Sequence, residues 1–206
     1  PEQGTPADWP APSWNIAPTQ QIGIVGLRGG NRAASTARWG LVPAWWQKPL
    51  AEFKLTTFNA RSEEVAAKPV FRDAWAKRRC LIPAIGWYEW KRAKPAKIPH
   101  FITMRRNTPG FWFAGLWSQT QLPGGEILRS CTILTTMAGE ATRDLHPRTP
   151  IVLDDDAADR WLDLESDPLT LMVAPPDDRV ELWQVDQAVG KVSNNSPELM
   201  EKSDLL

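Results

Sequence analysis

Apolar residues in this chain fall in short runs broken by proline or glycine, and most runs have strand length and strand patterning. Ile22–Leu27 (IGIVGL) stops at Arg28-Gly29-Gly30-Asn31, which predicts a strand entering a turn. Arg38–Pro43 (RWGLVP) predicts a second strand, ended by Pro43 ahead of Ala44-Trp45-Trp46. Cys80–Trp90 (CLIPAIGWYEW) is strand-like and divided by Pro83 and Gly86. Lys91–Pro99 follows as a basic hairpin loop, and His100–Met104, Phe111–Trp117 and Glu126–Thr136 continue the β pattern.

Helical signals are fewer. Ser62 can cap a short helix whose first turn holds Glu63 and Glu64, where negative charge suits the free N–H groups. Pro69 breaks that helix, and Val70–Arg79 resumes with Phe71, Ala74 and Trp75 on one face. Asp154 is the expected N-cap of DDDAADRWLDLE, with Trp161, Leu162 and Leu164 as its buried side. Ser196-Pro197 starts another short helix. Strands followed by inserted short helices predict an α+β fold with a mainly antiparallel sheet, in one domain over residues 1–206.

Composition narrows the class. No stretch of the 206 residues approaches the roughly 18 continuous apolar positions of a membrane span. The first residues lack the basic head and apolar block of a secretory signal. Two cysteines make no disulfide framework, and with two histidines they give no zinc spacing. The expectation is a soluble cytoplasmic protein, nucleoid-associated if bacterial, a monomer, with no metal, cofactor or membrane partner. Trp occurs 12 times against a single Tyr, and 19 prolines keep helices short.

Zero net charge hides a split. Residues 54–106 hold 13 Lys/Arg against 4 Asp/Glu, whereas residues 107–206 hold 7 against 17. A segment that basic suits nucleic acid, and equally suits a solvated basic face opposite an acidic one.

Candidate chemistry follows from local pattern. In a strand Glu89 shares a face with Trp87, while Tyr88 and Trp90 point the other way. A carboxylate beside an indole is desolvated toward a general acid; in an exposed strand it is an ordinary surface Glu. Pro147 and Pro150 bracket a stiff loop that holds His146 and Arg148, a titratable imidazole near a guanidinium. His146 also reads as a loop histidine bonded to backbone, and His100, at a strand start after Pro99, is the weaker candidate. Asn59 could orient a reactive group or serve turn chemistry, and Arg61 could grip a phosphate. Trp45 and Trp46, beside Lys48, have what base stacking needs, or else belong to a Trp-rich core. Cys80 and Cys131 fall in apolar strands and read as buried structural thiols.

These segments also occur in a recognisable order: Trp14-Asn15-Ile16-Ala17-Pro18, Arg38 through Trp46, Asn59-Ala60-Arg61-Ser62-Glu63, and Arg79 through Trp90. Phe113 through Trp117, Cys131 through Thr136, His146 through Leu153, Val189 through Asn195 and Glu198-Leu199 complete it. From Trp14 onward the series resembles the SOS-response-associated peptidase (SRAP) family, whose members crosslink to abasic sites in single-stranded DNA. The resemblance implies a pseudo-barrel of mainly antiparallel strands with short flanking helices. It implies removal of an initiator Met to free an N-terminal Cys. The Cys α-amino group condenses with the ring-opened sugar aldehyde, and its thiol closes a thiazolidine. Asn59 matches the family residue that positions the N-terminus, Glu89 the acid/base carboxylate, and His146 the histidine linked to ring opening. Trp45, Trp46, Arg61 and Arg148 match residues that contact the DNA.

One departure stands against this. The sequence opens Pro1-Glu2-Gln3, without the family's Met-Cys-Gly-Arg start, and 13 residues precede Trp14. The expectation is that the family's N-terminal segment, with its nucleophile, lies outside residues 1–206. Cys80 and Cys131 cannot replace it, since neither has a free amine beside its thiol. Two alternatives stay open: a non-catalytic single-stranded DNA-binding module, and Pro1 acting as a secondary-amine nucleophile.

Overall fold

The computed structural model describes residues 6–105 and 110–203. Strand β1 (Gln21–Arg28) turns through Gly29 and Gly30, at φ 59° and 80°, directly into β2 (Asn31–Trp39). Two successive left-handed positions match the right-handed twist of a two-residue hairpin, and glycine takes them without a Cβ penalty. The turn stands where the sequence placed it, but the second strand does not. The strand is NRAASTARW, because small residues on a half-buried face leave little hydrophobic alternation to read. Gly40, at φ 129°, then takes the chain out of the sheet, so Leu41–Pro43 is a buried loop.

Further strands are β3 (Asn59–Arg61), β4 (Arg79–Ala84), β5 (Trp87–Lys91), β6 (Ile98–Met104), β7 (Phe111–Gln121) and β8 (Ile127–Met137). The set ends with β9 (Arg148–Pro150), β10 (Val152–Leu153) and β11 (Val180–Gln184). Antiparallel pairing runs β7-β4-β1-β2, β2 pairs β8, and β8 pairs back to β7 antiparallel, which closes a five-stranded barrel. The β2–β8 and β3–β8 pairs are parallel, an exception to the antiparallel expectation. A separate sheet, β11-β6-β5, carries Glu89. The α+β pseudo-barrel expected above is therefore the architecture.

Gly86 divides the Cys80–Trp90 run into strands of different sheets, whereas Pro83 does not divide it. Pro83 lies past Leu81, where β1 pairs with β4, so its missing N–H is not needed on that side. A Cβ at Gly86 would strike the ring of Phe101 and come within 2.7 Å of the Ile102 carbonyl, so the crossing tolerates only glycine.

Side chains alternate between the inside and outside of a closed barrel. Ile24, Cys80, Ile82, Phe113, Cys131 and Ile133 form the inner cluster, and Leu81, Leu116 and Leu134 face outward. The outer face is covered by α1 (Pro69–Lys77) and α2 (Asp155–Leu162). Asp154 caps α2 as expected, its carboxylate accepting from Ala157 N–H at 2.9 Å. Trp161 is fully buried and donates from Nε1 to the Cys80 carbonyl at 2.9 Å, but Leu164 lies beyond the helix end and is exposed. Arg79 is buried, with its guanidinium over both Trp75 and Trp161 and donating to the Asp163 and Ser166 carbonyls. The helix expected after Ser62 is a pair of turns instead. Ser62 N–H is committed to the Thr135 carbonyl at 2.9 Å, and Pro69 follows before a helix can extend. Pro197–Met200 forms a single 3₁₀ turn.

Candidate active site

A cleft of about 1460 Å³ opens between the barrel and the three-stranded sheet. Asn59, Glu89 and His146 all line it, although they come from β3, β5 and the loop before β9. The three residues singled out as catalytic thus meet in one place.

Glu89 is held by strand alternation. Trp87 turns inward onto Phe111 and Phe113, with centroids 6.2 and 5.8 Å away, while Tyr88 packs on Phe101 at 5.3 Å. Burial in this aromatic wall pushes the Glu89 carboxyl above its ordinary range, and the facing His146 imidazole pulls it partly back. Glu89 also stands opposite His100 in the β5–β6 ladder, where His100 Nδ1 is 3.1 Å from the Ile98 carbonyl. His146 is exposed at the cleft. Its Nδ1 lies 3.0 Å from the Arg148 carbonyl and 3.2 Å from the Arg148 N–H, so either tautomer finds a backbone partner and leaves Nε2 for the cleft. Asn59 is exposed and fixed by the Asn59↔Ile133 pairing.

The four residues matched to DNA contacts lie outside the cleft lining and differ among themselves. Trp45 is 54% exposed. Trp46 is half-buried, edge-on to Phe53 at 5.1 Å, and packs on Val42, Leu122 and Leu128. Arg61 is exposed and meets Glu64 at 3.4 Å. Arg148 is mostly buried: it meets Glu63 at 2.7 Å and donates to the Thr135 carbonyl at 2.6 Å. Its donors are largely committed to Thr135 and Glu63, which ties the loop of His146 to the turn after β3.

Sequence reasoning missed the N-terminal arm. Residues 9–20 run along the cleft, with the Trp9 indole lying flat on Gly23, where any Cβ would collide with it. Asn15 is buried, and its Nδ2 lies within hydrogen-bond reach of the carbonyls of Val189, Lys191 and Asn194. Asn195 Oδ1 accepts from Trp14 N–H at 2.7 Å, and Tyr88 donates to the Trp14 carbonyl at 2.9 Å. Burial pushes the Tyr88 hydroxyl up to about 12, so it stays a donor. The segments Trp14–Pro18 and Val189–Asn195 were visible as motifs, but nothing in their local pattern says that they bind each other.

Both thiols are remote from this chemistry. Cys80 and Cys131 are fully buried in the barrel, and burial raises both pKa values. Pro1 lies outside the described residues.

A family model described as SOS response associated peptidase (SRAP) matches residues 2–192. Abasic site processing protein YoqW of Bacillus subtilis is 40% identical over 195 residues, covering 92% of this chain and 86% of its own length. YedK of Escherichia coli, named likewise, is 29% identical, with 93% and 85% covered. Mouse HMCES, an abasic site processing protein, is 28% identical, with 95% and 66% covered. Among solved structures, a Bordetella bronchiseptica protein superposes with a TM-score of 0.75 at 31% identity, over 83% of this chain and 86% of that one. A Bacteroides thetaiotaomicron protein shares the fold with a TM-score of 0.82 at 23% identity, over 90% and 82%.

Proposed function

The chain belongs to the SOS response associated peptidase (SRAP) family, and from that premise we propose that its cleft is where an abasic site in single-stranded DNA becomes covalently joined to the protein. The observation that carries the reading is the convergence of Asn59, Glu89 and His146 from three separate elements on one cleft along which the N-terminal arm runs.

The chemistry follows from those groups. An abasic sugar reacts as its ring-opened aldehyde. His146, through Nε2, takes the C1 hydroxyl proton of the closed sugar as the bond from C1 to the ring oxygen breaks, and passes that proton to the ring oxygen, leaving an aldehyde and a free hydroxyl. The α-amino group of the mature N-terminus, held by Asn59, adds to the aldehyde carbon and gives a carbinolamine. Glu89, whose carboxyl burial pushes above its ordinary range, donates a proton to the departing hydroxyl; water leaves as an iminium forms, and the Glu89 carboxylate takes back the nitrogen proton to give the imine. With an N-terminal Cys, the thiol then adds across the imine. A carbon–sulfur bond forms, the nitrogen takes the thiol proton, and a thiazolidine results. Cys80 and Cys131 are too deeply buried to take this part.

Trp45 and Arg61 offer an exposed aromatic face and a cation for the flanking strand. No helix among the described residues is long and apolar enough to cross a membrane. A cytoplasmic or nucleoid setting, and action as a monomer, are part of the proposal and follow from DNA as the substrate rather than from that absence. A binding-only module would have no use for a desolvated carboxyl facing an imidazole.

The test is the intact mass of the natively expressed protein before and after mixing with abasic single-stranded DNA. An N-terminal Cys and a denaturation-stable adduct heavier by the oligonucleotide less one water are expected. Absence of any adduct overturns the reading.

A further inference from the structure

The basic segment between residues 54 and 105 is unevenly neutralised. Lys68 pairs with Glu64, Lys77 and Arg78 with Asp73, Arg61 with Glu64, and Arg105 with Glu181. Arg79 is spent on carbonyls inside the fold. Lys54, Arg72, Lys91, Arg92, Lys94 and Lys97 are exposed and have no ion-pair partner among the described residues, and the last four of these fall within seven consecutive positions.

Those four cations sit together on the β5–β6 hairpin, which continues directly from the cleft wall. Glu89 and Trp90 line the cleft, and Lys91 is the next residue of the same strand. On the returning side the hairpin is fastened by Gln187, whose Nε2 donates to the Lys97 carbonyl at 2.8 Å. Four like charges so close repel one another, and a polyanion is the partner that relieves them. From Glu89 to Lys94 the chain spans at most about 17 Å, so the hairpin lies within a few nucleotides of a sugar held in the cleft.

We propose that the Lys91–Lys97 hairpin is a phosphate-contacting arm that receives the DNA strand where it leaves the cleft. This rests on the reading of the cleft as a single-stranded DNA site. The hairpin supplies sequence-independent affinity and a direction of exit, and takes no part in the chemistry.

The test uses the full protein and a single-stranded oligonucleotide carrying a closed-ring abasic analogue, which has no aldehyde and reports binding alone. Affinity is measured across a salt series for the wild type and for the variant K91Q/R92Q/K94Q/K97Q. Each phosphate contact on single-stranded DNA contributes about 0.7 to the slope of log affinity against log salt. The quadruple variant should lower that slope by at least about 1.4, equivalent to two or more lost contacts, while keeping the wild-type circular dichroism and melting temperature. Arg28→Gln, at the opposite end of β1 from the cleft-lining Gln21–Gly23, should leave the slope unchanged. A smaller fall in the quadruple variant, or an equal per-charge fall in Arg28→Gln, overturns the hairpin assignment while the cleft reading stands. Failure of the wild type to bind at all overturns both.

Discussion

Arg148 grips Glu63 with both arms of its guanidinium, Nη1 to Oε1 at 3.3 Å and Nη2 to Oε2 at 2.7 Å, and so ties the loop of His146 to the turn that follows β3. The hydrogen bonds from Arg148 hold the Glu63 carboxyl below its ordinary range. A depressed carboxyl contributes stability that is fully present above the unfolded value of about 4.3 and is lost as pH falls through the folded value. Glu63 is 47% exposed, so screening keeps the contribution under about 1 kcal/mol. Urea unfolding should show Glu63→Gln less stable than wild type at pH 7, and the gap should close below pH 4. A gap that persists in acid would assign the loss to packing.

Glu89→Gln keeps the shape of the carboxyl and removes its proton. Crosslinking should slow by about a hundredfold, within the range for loss of a general acid, while affinity for a closed-ring abasic analogue changes less than about threefold. The raised carboxyl is protonated below its pKa, so wild-type crosslinking should decline as pH rises through it, and the variant should lack that limb. Equal losses in rate and affinity would make Glu89 a binding residue.

Trp45 and Trp46 should separate. Trp45→Ala removes an exposed ring and should weaken single-stranded DNA binding by about 1–3 kcal/mol with little change in stability. Trp46→Ala cuts into packing against Phe53 and Val42 and should destabilise the fold by about 3 kcal/mol. Equal effects on affinity, without loss of stability in either, would return Trp46 to the DNA surface.

Asn15→Ala should lower stability by about 2 kcal/mol, because the carbonyls of Val189, Lys191 and Asn194 lose a buried donor. Denaturant unfolding measures this directly. A change below about 0.5 kcal/mol would mean that water replaces the amide.

Both thiols should resist alkylation in the native protein and react once it is unfolded, since burial disfavours the thiolate at Cys80 and Cys131. Native-state labelling of either, read by mass, would contradict the closed barrel interior.

How much of this was legible depends on scale. Where a side chain's environment is set by its own strand, as for Glu89 beside Trp87, alternation predicts the face it shares. Where an element is capped locally, as α2 is by Asp154, composition gave it too. What local pattern could not supply was partnership at a distance. The small residues of Asn31–Trp39 hide a strand whose identity comes from pairing with β1. Trp45 and Trp46 are adjacent letters with opposite environments, because Phe53, Leu122 and Leu128 surround one and not the other. Nothing near Arg148 in the sequence points to Glu63, its partner 85 positions upstream. The order of the motifs carried the family, and through it the meeting of Asn59, Glu89 and His146.

The tie between Asn15 and the carbonyls of residues 189–194 also sets a schedule. Synthesis runs from the N-terminus, so the arm emerges well before its seat. A nascent chain that stops short of Val189 has every strand of the barrel and both helices, yet nothing to hold the arm along the cleft. Asn59, Glu89 and His146 are thus made before the segment that holds the arm beside them, so the cleft wall is completed only after residues 189–194 are in place.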